Sequence, residues 1–502
     1  MFQALSALLQ LIYGIWNDPL PGIPYVSCFP ILGLIFEKWS DDFYSRSMGA
    51  LFHAAEKEGI SWTLVGGLPL VYLRDPALIR QLFVKSNPSI SRCGKETKGP
   101  FGTGKRIVPN ALITAEGEVA QRWHADMLRG FHNRPSMESF HPRLISIATA
   151  HISTLLKRGS GSDLQALLQD YAMDTVWCLG LGLADASQYT RHWQQPFDQY
   201  VHMAASMSYP AQHILRNLVS GRLYSEPDHI EKNLSDQIDN CVIQLLKENS
   251  HLLNPKAVPV DEMNFLQRIS FETGGSAAQP ITPDVLAHAK QIFSHGYPAP
   301  TLLLLWGLTE LSLHPKVKQK LRAELSESTW HDDQTLQKLQ TLLKLPYLDA
   351  VVNELLRIHP PIPTTARAID YPLHMETQSG LQFELPVTAR VAVSLDMLHH
   401  DVQIWGEDAS VFRPERWHNL RSNIMESECK YLPFLTGPRR CPCTGFVVQQ
   451  IKVFLAALLC KGDLEVVNAA AVEKKLGPVA GPTAPVAFTV MPATSIQTPF
   501  VL

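Results

Sequence analysis

The sequence predicts a mainly α-helical protein with a smaller β-rich portion. Residues 163–179 place apolar side chains at positions 164, 167, 168, 172, 176 and 179, which is the spacing of one helix face. Two short apolar runs, 61–65 and 70–73, flank a Gly-Gly pair and indicate two strands joined by a turn. Between residues 381 and 395 apolar positions alternate, which indicates strands interrupted near Pro386.

Local signals place further elements. Arg74-Asp-Pro76 predicts the start of a helix that runs through Phe83, because proline suits the first helical turn. The tail, residues 477–502, is rich in Pro, Thr and Val, which favours turns and short strands. Residues 197–218 are mixed and aromatic, and their pattern predicts little.

The first residues predict a membrane anchor. Residues 1–17 are mostly apolar, without a charged side chain from Met1 to Trp16. A spanning helix needs roughly 20 residues, although about 17 suffice. Residues 18–30 form a proline-rich hinge that breaks any helix. A cleaved signal peptide is the alternative, disfavoured by the missing basic start and the missing small-residue cleavage site.

Composition favours one large domain over residues 31–502. The 502-residue chain is 45% hydrophobic, and no Gly/Ser linker, charge block or repeat divides it. A net charge of −3 gives no support for nucleic-acid binding. The eight cysteines are scattered, unlike those of a disulfide scaffold, which favours a reducing compartment facing the cytosol.

The most specific motif is Phe434-Leu-Thr-Gly-Pro-Arg-Arg-Cys441, followed by a predicted helix over 444–459. A cysteine at the mouth of a helix meets unpaired backbone N–H groups and the positive end of the helix dipole, which favour its thiolate. Such a thiolate can be the proximal ligand of haem iron. Gly437 permits a tight turn, Phe434 belongs to the same motif, and Arg439 can pair with a haem propionate.

With this motif the chain resembles the cytochrome P-450 family, and two further motifs follow the family's order. Glu354-Leu-Leu-Arg357 puts two opposite charges on one helix face within apolar surroundings, where an ion pair can form and be buried. Residues 412–417, Phe-Arg-Pro-Glu-Arg-Trp, are similar to the family's P-E-R-F segment. The resemblance implies that Arg416 joins Glu354 and Arg357 in a structural triad.

The resemblance is to microsomal, eukaryotic members, and to fungal biosynthetic members among them. It implies the cytochrome P-450 fold, with residues 31–502 as a haem-thiolate catalytic domain. It also implies a monooxygenase that oxidises a hydrophobic small molecule in secondary metabolite biosynthesis. Electrons would come from NADPH through a membrane-bound NADPH-cytochrome reductase, and the protein would sit on the endoplasmic reticulum membrane with its catalytic domain facing the cytosol. The reductase would dock near Cys441, where Lys430, Arg440 and Lys452 offer positive charge.

Two further residues are candidates for the haem propionates. Arg367 follows the Pro360-Pro361 break, where the family often places a propionate-binding arginine; a surface arginine is the alternative. The family's W-x-x-x-R pair falls on Ala120 and His124, so the chain departs from that pattern. His124 can donate a hydrogen bond in place of arginine, whereas Trp123 is out of register and is interpreted as a packing residue.

The largest departure from the family lies where dioxygen would be activated. The family's A-G-x-D/E-T stretch falls on residues 295–299, in which Gly296 is kept but Pro298 and Ala299 replace the acid and the alcohol. Neither replacement can relay a proton, and prolines at 298 and 300 predict a kinked or unwound helix. Thr301 is the remaining hydroxyl candidate; the alternative is that it bonds back to its own helix.

Several functions therefore stay open. The protein can be a monooxygenase whose protons come through water, Thr301 or the substrate. It can be a haem-thiolate isomerase or dehydratase that acts on a peroxide without external dioxygen. It can also be a haem-binding protein without turnover. Substrate contacts are expected, by position, from residues 293–301, 362–365 and 485–488.

The second cysteine of the motif, Cys443, has two other interpretations. With Cys441, Cys429 and Cys460 it could form a zinc site, but their spacing is irregular. If Cys443 were the haem ligand, Phe434 and the rest of the motif would no longer stand at the family's spacing from the ligand. A small packed residue is the favoured interpretation of Cys443.

Overall fold

The computed structural model describes residues 20–26, 43–65, 68–84, 90–91, 108, 111–132, 134–183, 229–328, 336–387, 389–476 and 479–492. The predicted anchor, residues 1–17, and the segment 197–218 lie outside these ranges.

The described chain is mainly helical, as the sequence predicts. Its helices are α1 (Phe43–Ala54), α2 (Pro76–Phe83), α3 (Gly117–His132), α4 (Arg134–Arg158), α5 (Leu164–Leu181), α6 (His229–Glu248), α7 (Phe265–Glu272), α8 (Pro283–His295), α9 (Pro298–Leu313), α10 (Pro315–Glu327), α11 (Leu336–Leu342), α12 (Pro346–Ile358), α13 (Leu395–His399), α14 (Val402–Trp405), α15 (Ser422–Ser427) and α16 (Thr444–Lys461). A large core joins α4, α5, α9, α12 and α16 through buried aliphatic and aromatic side chains.

The main sheet and the β6–β7 hairpin form a smaller part with its own apolar core, whereas the sheet β4-β12-β9 packs on the large helical core. They are β1 (Ile60–Val65), β2 (Leu68–Leu73), β3 (Ile90–Ser91), β4 (Ser160–Gly161), β5 (Thr364–Ile369), β6 (Leu373–Glu376), β7 (Gln382–Leu385), β8 (Arg390–Ser394), β9 (Gly462–Val466), β10 (Lys474–Lys475), β11 (Gly481–Pro482) and β12 (Phe488–Pro492). The main sheet has the order β1-β2-β8-β5-β3. The strands predicted around residues 66–67 and on either side of Pro386 are thus confirmed.

Capping residues mark the helices that the sequence predicts. The Asp75 carboxylate accepts the Ala77 N–H at 2.8 Å, with Pro76 in the first position of α2. Asp163 caps α5 by accepting the Ala166 N–H at 3.1 Å, and Gly182 ends that helix at φ 74°. Both predicted helices are confirmed within two residues.

Part of the predicted hinge packs onto the main sheet. The Trp62 N–H donates to the Pro24 carbonyl at 3.0 Å, and the Val26 N–H donates to the Trp62 carbonyl at 2.8 Å. The side chains of Leu20 and Ile23 are buried. These contacts fix residues 20–26 against β1.

One described helix, α16, has the length and apolar composition that crossing a membrane requires, but 67% of it is buried inside the fold. It belongs to the large helical core.

The predicted break above the catalytic region is confirmed, and it lies between α8 and α9. Pro298 and Pro300 occupy the first and third positions of α9, and the Thr301 N–H makes the first helical bond, to Tyr297 at 3.1 Å. The N–H groups of a first turn have no helical partner in any case, so prolines there avoid the cost of about 3 kcal/mol that each would have in a helix interior.

Candidate active site

The loop before Cys441 is bent by two residues in the left-handed region. Leu435 has φ 61° and Gly437 has φ 71°, and the Cys441 N–H donates to the Phe434 carbonyl at 2.8 Å. A Cβ atom at Gly437 would overlap the carbonyl oxygen of Phe83 at the end of α2. Glycine is therefore required both by the backbone angle and by the close approach of a second chain segment.

Cys441 ends this loop just before α16. Its side chain is half-buried, and the Thr444 hydroxyl donates to its backbone carbonyl at 3.0 Å. The hydrogen bond to Cys441 and the burial around it raise the pKa of the Cys443 thiol well above its ordinary value. Cys441, not Cys443, lies at the end of the loop that Phe434 and Gly437 shape. Within the described ranges, no group of three or more His, Cys, Asp or Glu residues could hold a metal ion, so zinc gains no support.

A buried charge network on α12 contains the predicted triad. The Glu354 carboxylate accepts from Arg357 Nε and Nη2 at 2.9 and 2.8 Å, and from Arg416 Nε at 2.9 Å. The indole of Trp417 donates to the same carboxylate at 2.9 Å. Because Glu354 and Arg357 are fully buried and multiply bonded, the triad is confirmed as a structural network.

This network reaches the loop that carries the cysteine. Arg357 Nη1 donates to the His399 carbonyl at 2.7 Å, and His399 Nε2 accepts the Leu432 N–H at 2.8 Å. Burial lowers the pKa of His399 well below its ordinary value, so the neutral ring can accept that bond. The Tyr431 hydroxyl also donates to the Asn353 carbonyl of α12 at 3.1 Å. The triad thus holds the chain just before Phe434.

Arg367 lies beside the same loop and is not a surface residue. Arg367 is 3% exposed, and the central carbon of its guanidinium lies 4.5 Å from the Phe83 ring centroid. Its Nη1 donates to the Thr365 hydroxyl at 3.0 Å and to the Ala366 carbonyl at 2.8 Å. Since the backbone of Phe83 also approaches Gly437, Arg367 and the cysteine loop contact the same residue, one through its ring and the other through its carbonyl.

The other two candidates for propionate binding join the loop to α3 and to the residues just before it. His124 Nε2 donates to the Arg440 carbonyl at 2.8 Å. Arg439 Nη1 donates to Leu112 at 3.1 Å, and Nη2 donates to the Glu116 carboxylate at 2.7 Å. The sequence did not predict a role for Glu116. An acidic residue at the start of a helix is usually explained by its favourable interaction with the helix dipole.

Trp123 is a packing residue, as the sequence indicates. It is 1% exposed, and its ring centroid lies 4.3 Å from that of His288 on α8. Ala120, at the family's tryptophan position, is buried as well. The face of α3 that carries both residues therefore packs inward.

On the oxygen side, Thr301 bonds back to its own helix. Its hydroxyl donates to the Tyr297 carbonyl at 2.8 Å, and the residue is 2% exposed. Gly296 faces α5, since a Cβ there would lie 2.5 Å from the Ile292 carbonyl and 3.0 Å from Val176. Gly296 therefore permits the packing of α8 on α5.

His295 lies within the segment 293–301 that is expected to contact substrate, and no separate role was predicted for it from the sequence. Its side chain is exposed at the end of a helix that is buried from 287 to 294. Its Nδ1 lies 2.7 Å from the Ser294 hydroxyl and 3.2 Å from the Gln291 carbonyl. The sequence signal that singles out His295 is its position directly before Gly296, the glycine that is kept from the family's motif.

The segments expected to contact substrate differ in exposure. Ile362 is 44% exposed, whereas Phe293 and Phe488 are buried. Phe293 packs on Trp177 with ring centroids 3.9 Å apart. Phe293 and Phe488 therefore belong to the core, whereas His295, Ile362 and Pro485 are the exposed residues of these segments.

The expected positive surface needs one correction. Lys452 is 3% exposed and donates to Asp349 at 2.8 Å, so its charge is neutralised inside the fold. A lysine on an apolar helix can bury its stem and still reach a carboxylate. Lys430 and Arg440 remain at the surface, each with a carboxylate partner.

These residues fit a haem-thiolate group. A half-buried thiol stands before a helix N-terminus, and a buried guanidinium and a histidine lie beside its loop. A thiolate suits iron, and guanidinium and imidazole N–H groups suit propionates.

Comparisons with known proteins give the same result. A 34% identity to the cytochrome P450 monooxygenase claU of Ampulloclitocybe clavipes covers 205 residues, 38% of this chain and 37% of that protein. Cytochrome P450 72A397 of Kalopanax septemlobus is 23% identical over 85% of this chain and 80% of its own length. Germacrene A hydroxylase of Cichorium intybus is 27% identical over 58% of this chain and 56% of its own length.

The family model for Cytochrome P450 matches residues 24–490, nearly the whole chain. Its members hold iron protoporphyrin through a cysteine thiolate, in agreement with the loop, the triad and the helical architecture. The chain belongs to the cytochrome P450 family and is a haem-thiolate protein.

Proposed function

We propose that this protein is a haem-thiolate monooxygenase that oxidises a hydrophobic small molecule in secondary metabolite biosynthesis. The setting of Cys441 supports this function: a half-buried thiol before α16, on a loop held by the triad. Two relatives carry names in keeping with it, a monooxygenase and a hydroxylase of germacrene A.

Each candidate residue has a distinct proposed role. Cys441 is the metal ligand, and Phe434 and Gly437 shape its loop. Arg367, Arg439 and His124 bind the propionates, with Glu116 orienting Arg439. When bound, the haem supplies the chemistry of dioxygen activation. Among the catalytic candidates, Gly296 sets the packing of α8, and the Thr301 hydroxyl is held by Tyr297.

The partners follow from the same assignment. Electrons come from NADPH through an NADPH-cytochrome reductase that docks beside the cysteine loop, where Lys430 and Arg440 are exposed. Residues 1–17 anchor the protein in the endoplasmic reticulum membrane, residues 18–30 form the hinge, and residues 31–502 form the catalytic domain on the cytosolic side. An apolar substrate reaches the site past the exposed Ile362.

A second function is favoured by one observation. Pro298 and Ala299 cannot transfer protons, and the Thr301 hydroxyl is engaged by its own helix. A haem-thiolate isomerase or dehydratase acting on a peroxide needs neither NADPH nor dioxygen. Product formed from a lipid hydroperoxide without NADPH and under argon would support this function over the monooxygenase. A protein that turns over neither kind of substrate would be the non-catalytic haem protein.

The first test is the difference spectrum of the reduced protein with carbon monoxide. Wild type and the control Cys443→Ser should show the long-wavelength Soret band of a thiolate-ligated haem, and Cys441→Ser should lose it. A wild type without this band would contradict the proposed function. A band that survives in Cys441→Ser but disappears in Cys443→Ser would move the ligand to the second cysteine.

A further inference from the structure

The segment between α12 and β5 has few hydrogen-bond donors of its own. We call residues 360–363, Pro-Pro-Ile-Pro, the strap. Its three prolines have no backbone N–H, so the strap is fixed mainly through its carbonyl groups and through the residues that flank it. Ile362 is its exposed member, and β5 leads from the strap to Arg367 beside the cysteine loop. The position of Ile362 therefore depends on contacts made by other segments.

Two carbonyl groups of the strap accept hydrogen bonds. The Ala480 N–H donates to the Pro361 carbonyl at 2.9 Å, and the Leu395 N–H donates to the Pro363 carbonyl at 2.8 Å. Ala480 begins a segment that we call the tail turn, residues 480–485, whose second half is exposed. The strap and the tail turn are therefore neighbours, and each overlaps a segment proposed to meet substrate.

Trp306 on α9 holds the other side of Ala480. Its indole N–H donates to the Ala480 carbonyl at 2.9 Å. One turn earlier on the same face of α9, Leu303 lines a small apolar cavity together with Phe434 of the cysteine loop. The tail turn is therefore bound to α9 one helical turn from the residue that faces the cysteine loop.

His359, directly before the strap, contacts the same part of α9. Its ring stacks on the Trp306 indole, with ring centroids 4.8 Å apart and an interplanar angle of 6°. Its Nε2 lies 2.7 Å from Oε1 of Glu310, one turn beyond Trp306 on α9. Because a carboxylate can only accept, Nε2 carries the proton and donates it. Two contacts with one helix therefore orient the His359 ring and fix the start of the strap.

The Glu310 carboxylate that accepts from His359 is ionised. Burial by itself would raise the pKa of this carboxyl group, but hydrogen bonds from His314 and His359 outweigh that effect and lower the pKa to about 2. The bond between His359 and Glu310 therefore has a charged acceptor. Hydrogen bonds of this kind are roughly twice as strong as those between neutral groups.

These contacts close a ring: Glu310 to His359, along the strap to Pro361, across to Ala480, on to Trp306 and back along one turn of α9. We propose that Trp306, His359 and Glu310 are positioning residues that hold the strap and the tail turn together against α9, so that both present one fixed apolar wall to the substrate. Trp306 is 3% and His359 7% exposed, so they act through the strap and the tail turn. This inference rests on the proposed oxidation of a hydrophobic small molecule.

A series of 1-alkylimidazoles, from ethyl to octyl, tests this role in the ferric holoenzyme without the natural substrate. The imidazole nitrogen coordinates the haem iron and shifts the Soret band, while the alkyl chain occupies the substrate side. A buried methylene group should tighten binding about fourfold. In the wild type, the dissociation constant should therefore fall about 250-fold from the butyl to the octyl compound. The ethyl compound reports the iron site by itself.

Two variants open the ring at different places. Trp306→Phe removes the N–H that donates to Ala480, and His359→Leu removes the donor to Glu310. Each should reduce the gain from butyl to octyl to about 16-fold or less, because each methylene group then contributes about twofold instead of fourfold. The thiolate band and the binding of 1-ethylimidazole should stay as in the wild type. His359→Gln keeps an N–H for Glu310 and should retain more of the gain than His359→Leu.

The matched control is Trp405→Phe. Trp405 is also buried, and its indole donates to a backbone carbonyl, that of Leu398, at 3.1 Å. This variant loses a hydrogen bond of the same kind outside the ring, so it should keep the full gain with chain length. If Trp306 served stability alone, Trp306→Phe and Trp405→Phe would both lower the denaturation midpoint and neither would change the chain-length dependence.

The double variant Trp306→Phe/His359→Leu should lose no more of the gain than the larger of the two single losses, because one break already opens the ring. Additive losses, an unchanged gain in Trp306→Phe, an equal loss in Trp405→Phe or a wild type without any gain would overturn the proposal and leave the proposed function standing. If His359→Leu does not fold, the comparison of Trp306→Phe with Trp405→Phe decides the question. A wild type without a thiolate band overturns the proposed function and this inference together.

Discussion

The two sides of the site are built differently. On the thiolate side, the cysteine loop is held by a buried triad, by His399 and by Gly437, where the backbone leaves no room for a Cβ atom. On the oxygen side, the helix is interrupted and the expected acid and alcohol are absent. Thiolate ligation needs one fixed geometry, whereas protons can reach an oxygen by several routes. The first side therefore keeps the family pattern, and the second side can vary.

The largest effect should come from the triad. Arg357→Ala leaves the Glu354 carboxylate buried without its main partner, which should lower the free energy of unfolding by about 3–5 kcal/mol. Denaturant unfolding and haem retention measure it. The control Lys320→Ala breaks an exposed ion pair with Glu415 and should cost about 1 kcal/mol or less. Equal losses in the two variants would show that burial of the triad adds nothing.

Gly437→Ala should have the next largest effect and lower the free energy of unfolding by about 2–4 kcal/mol. The added methyl group would strain a left-handed backbone angle and overlap the carbonyl of Phe83. The control Gly380→Ala has a similar φ of 87° with no atom within 4 Å of the added methyl group, so it should cost only the strain, about 1–2 kcal/mol. Denaturant midpoints and the thiolate band of both variants check this. Similar losses would mean that the contact with α2 is unimportant.

On the oxygen side, Thr301→Val should cost about 1 kcal/mol of stability, the usual net value of one hydrogen bond. Thr309 makes the same bond, to the Leu305 carbonyl at 2.9 Å, and is equally buried. Thr309→Val should therefore behave like Thr301→Val in stability. The two variants should also give the same ratio of 2-phenyl-2-propanol, the product of proton-assisted cleavage, to acetophenone, the product of homolytic cleavage, when cumene hydroperoxide is the substrate. A ratio that falls only in Thr301→Val would give Thr301 a role in proton transfer.

The smallest effect should come from Pro300→Ala. Because Pro300 lies in the first turn of α9, its replacement should change the free energy of unfolding by less than about 1 kcal/mol. Thermal and denaturant unfolding measure it. A gain of about 3 kcal/mol would instead show that the proline strains a helix interior.

Patterns that are local in the chain were readable from the sequence. The strands around residues 66–67, helices α2 and α5, and the break near Pro298 depend on periodicity, caps and prolines that act within a few residues. The cysteine motif and the triad were readable for a related reason. Their residue types have few alternatives once a buried ion pair or a thiolate ligand is required.

Contacts between distant segments needed the folded chain. The Arg439–Glu116 pair, the His124 bond to Arg440 and the burial of Lys452 join residues far apart in sequence, and no local pattern encodes them. The exposure of His295 is of the same kind, since it depends on which helices cover the end of α8. Secondary structure follows from interactions over one or two turns, whereas partners and exposure follow from how the completed helices pack.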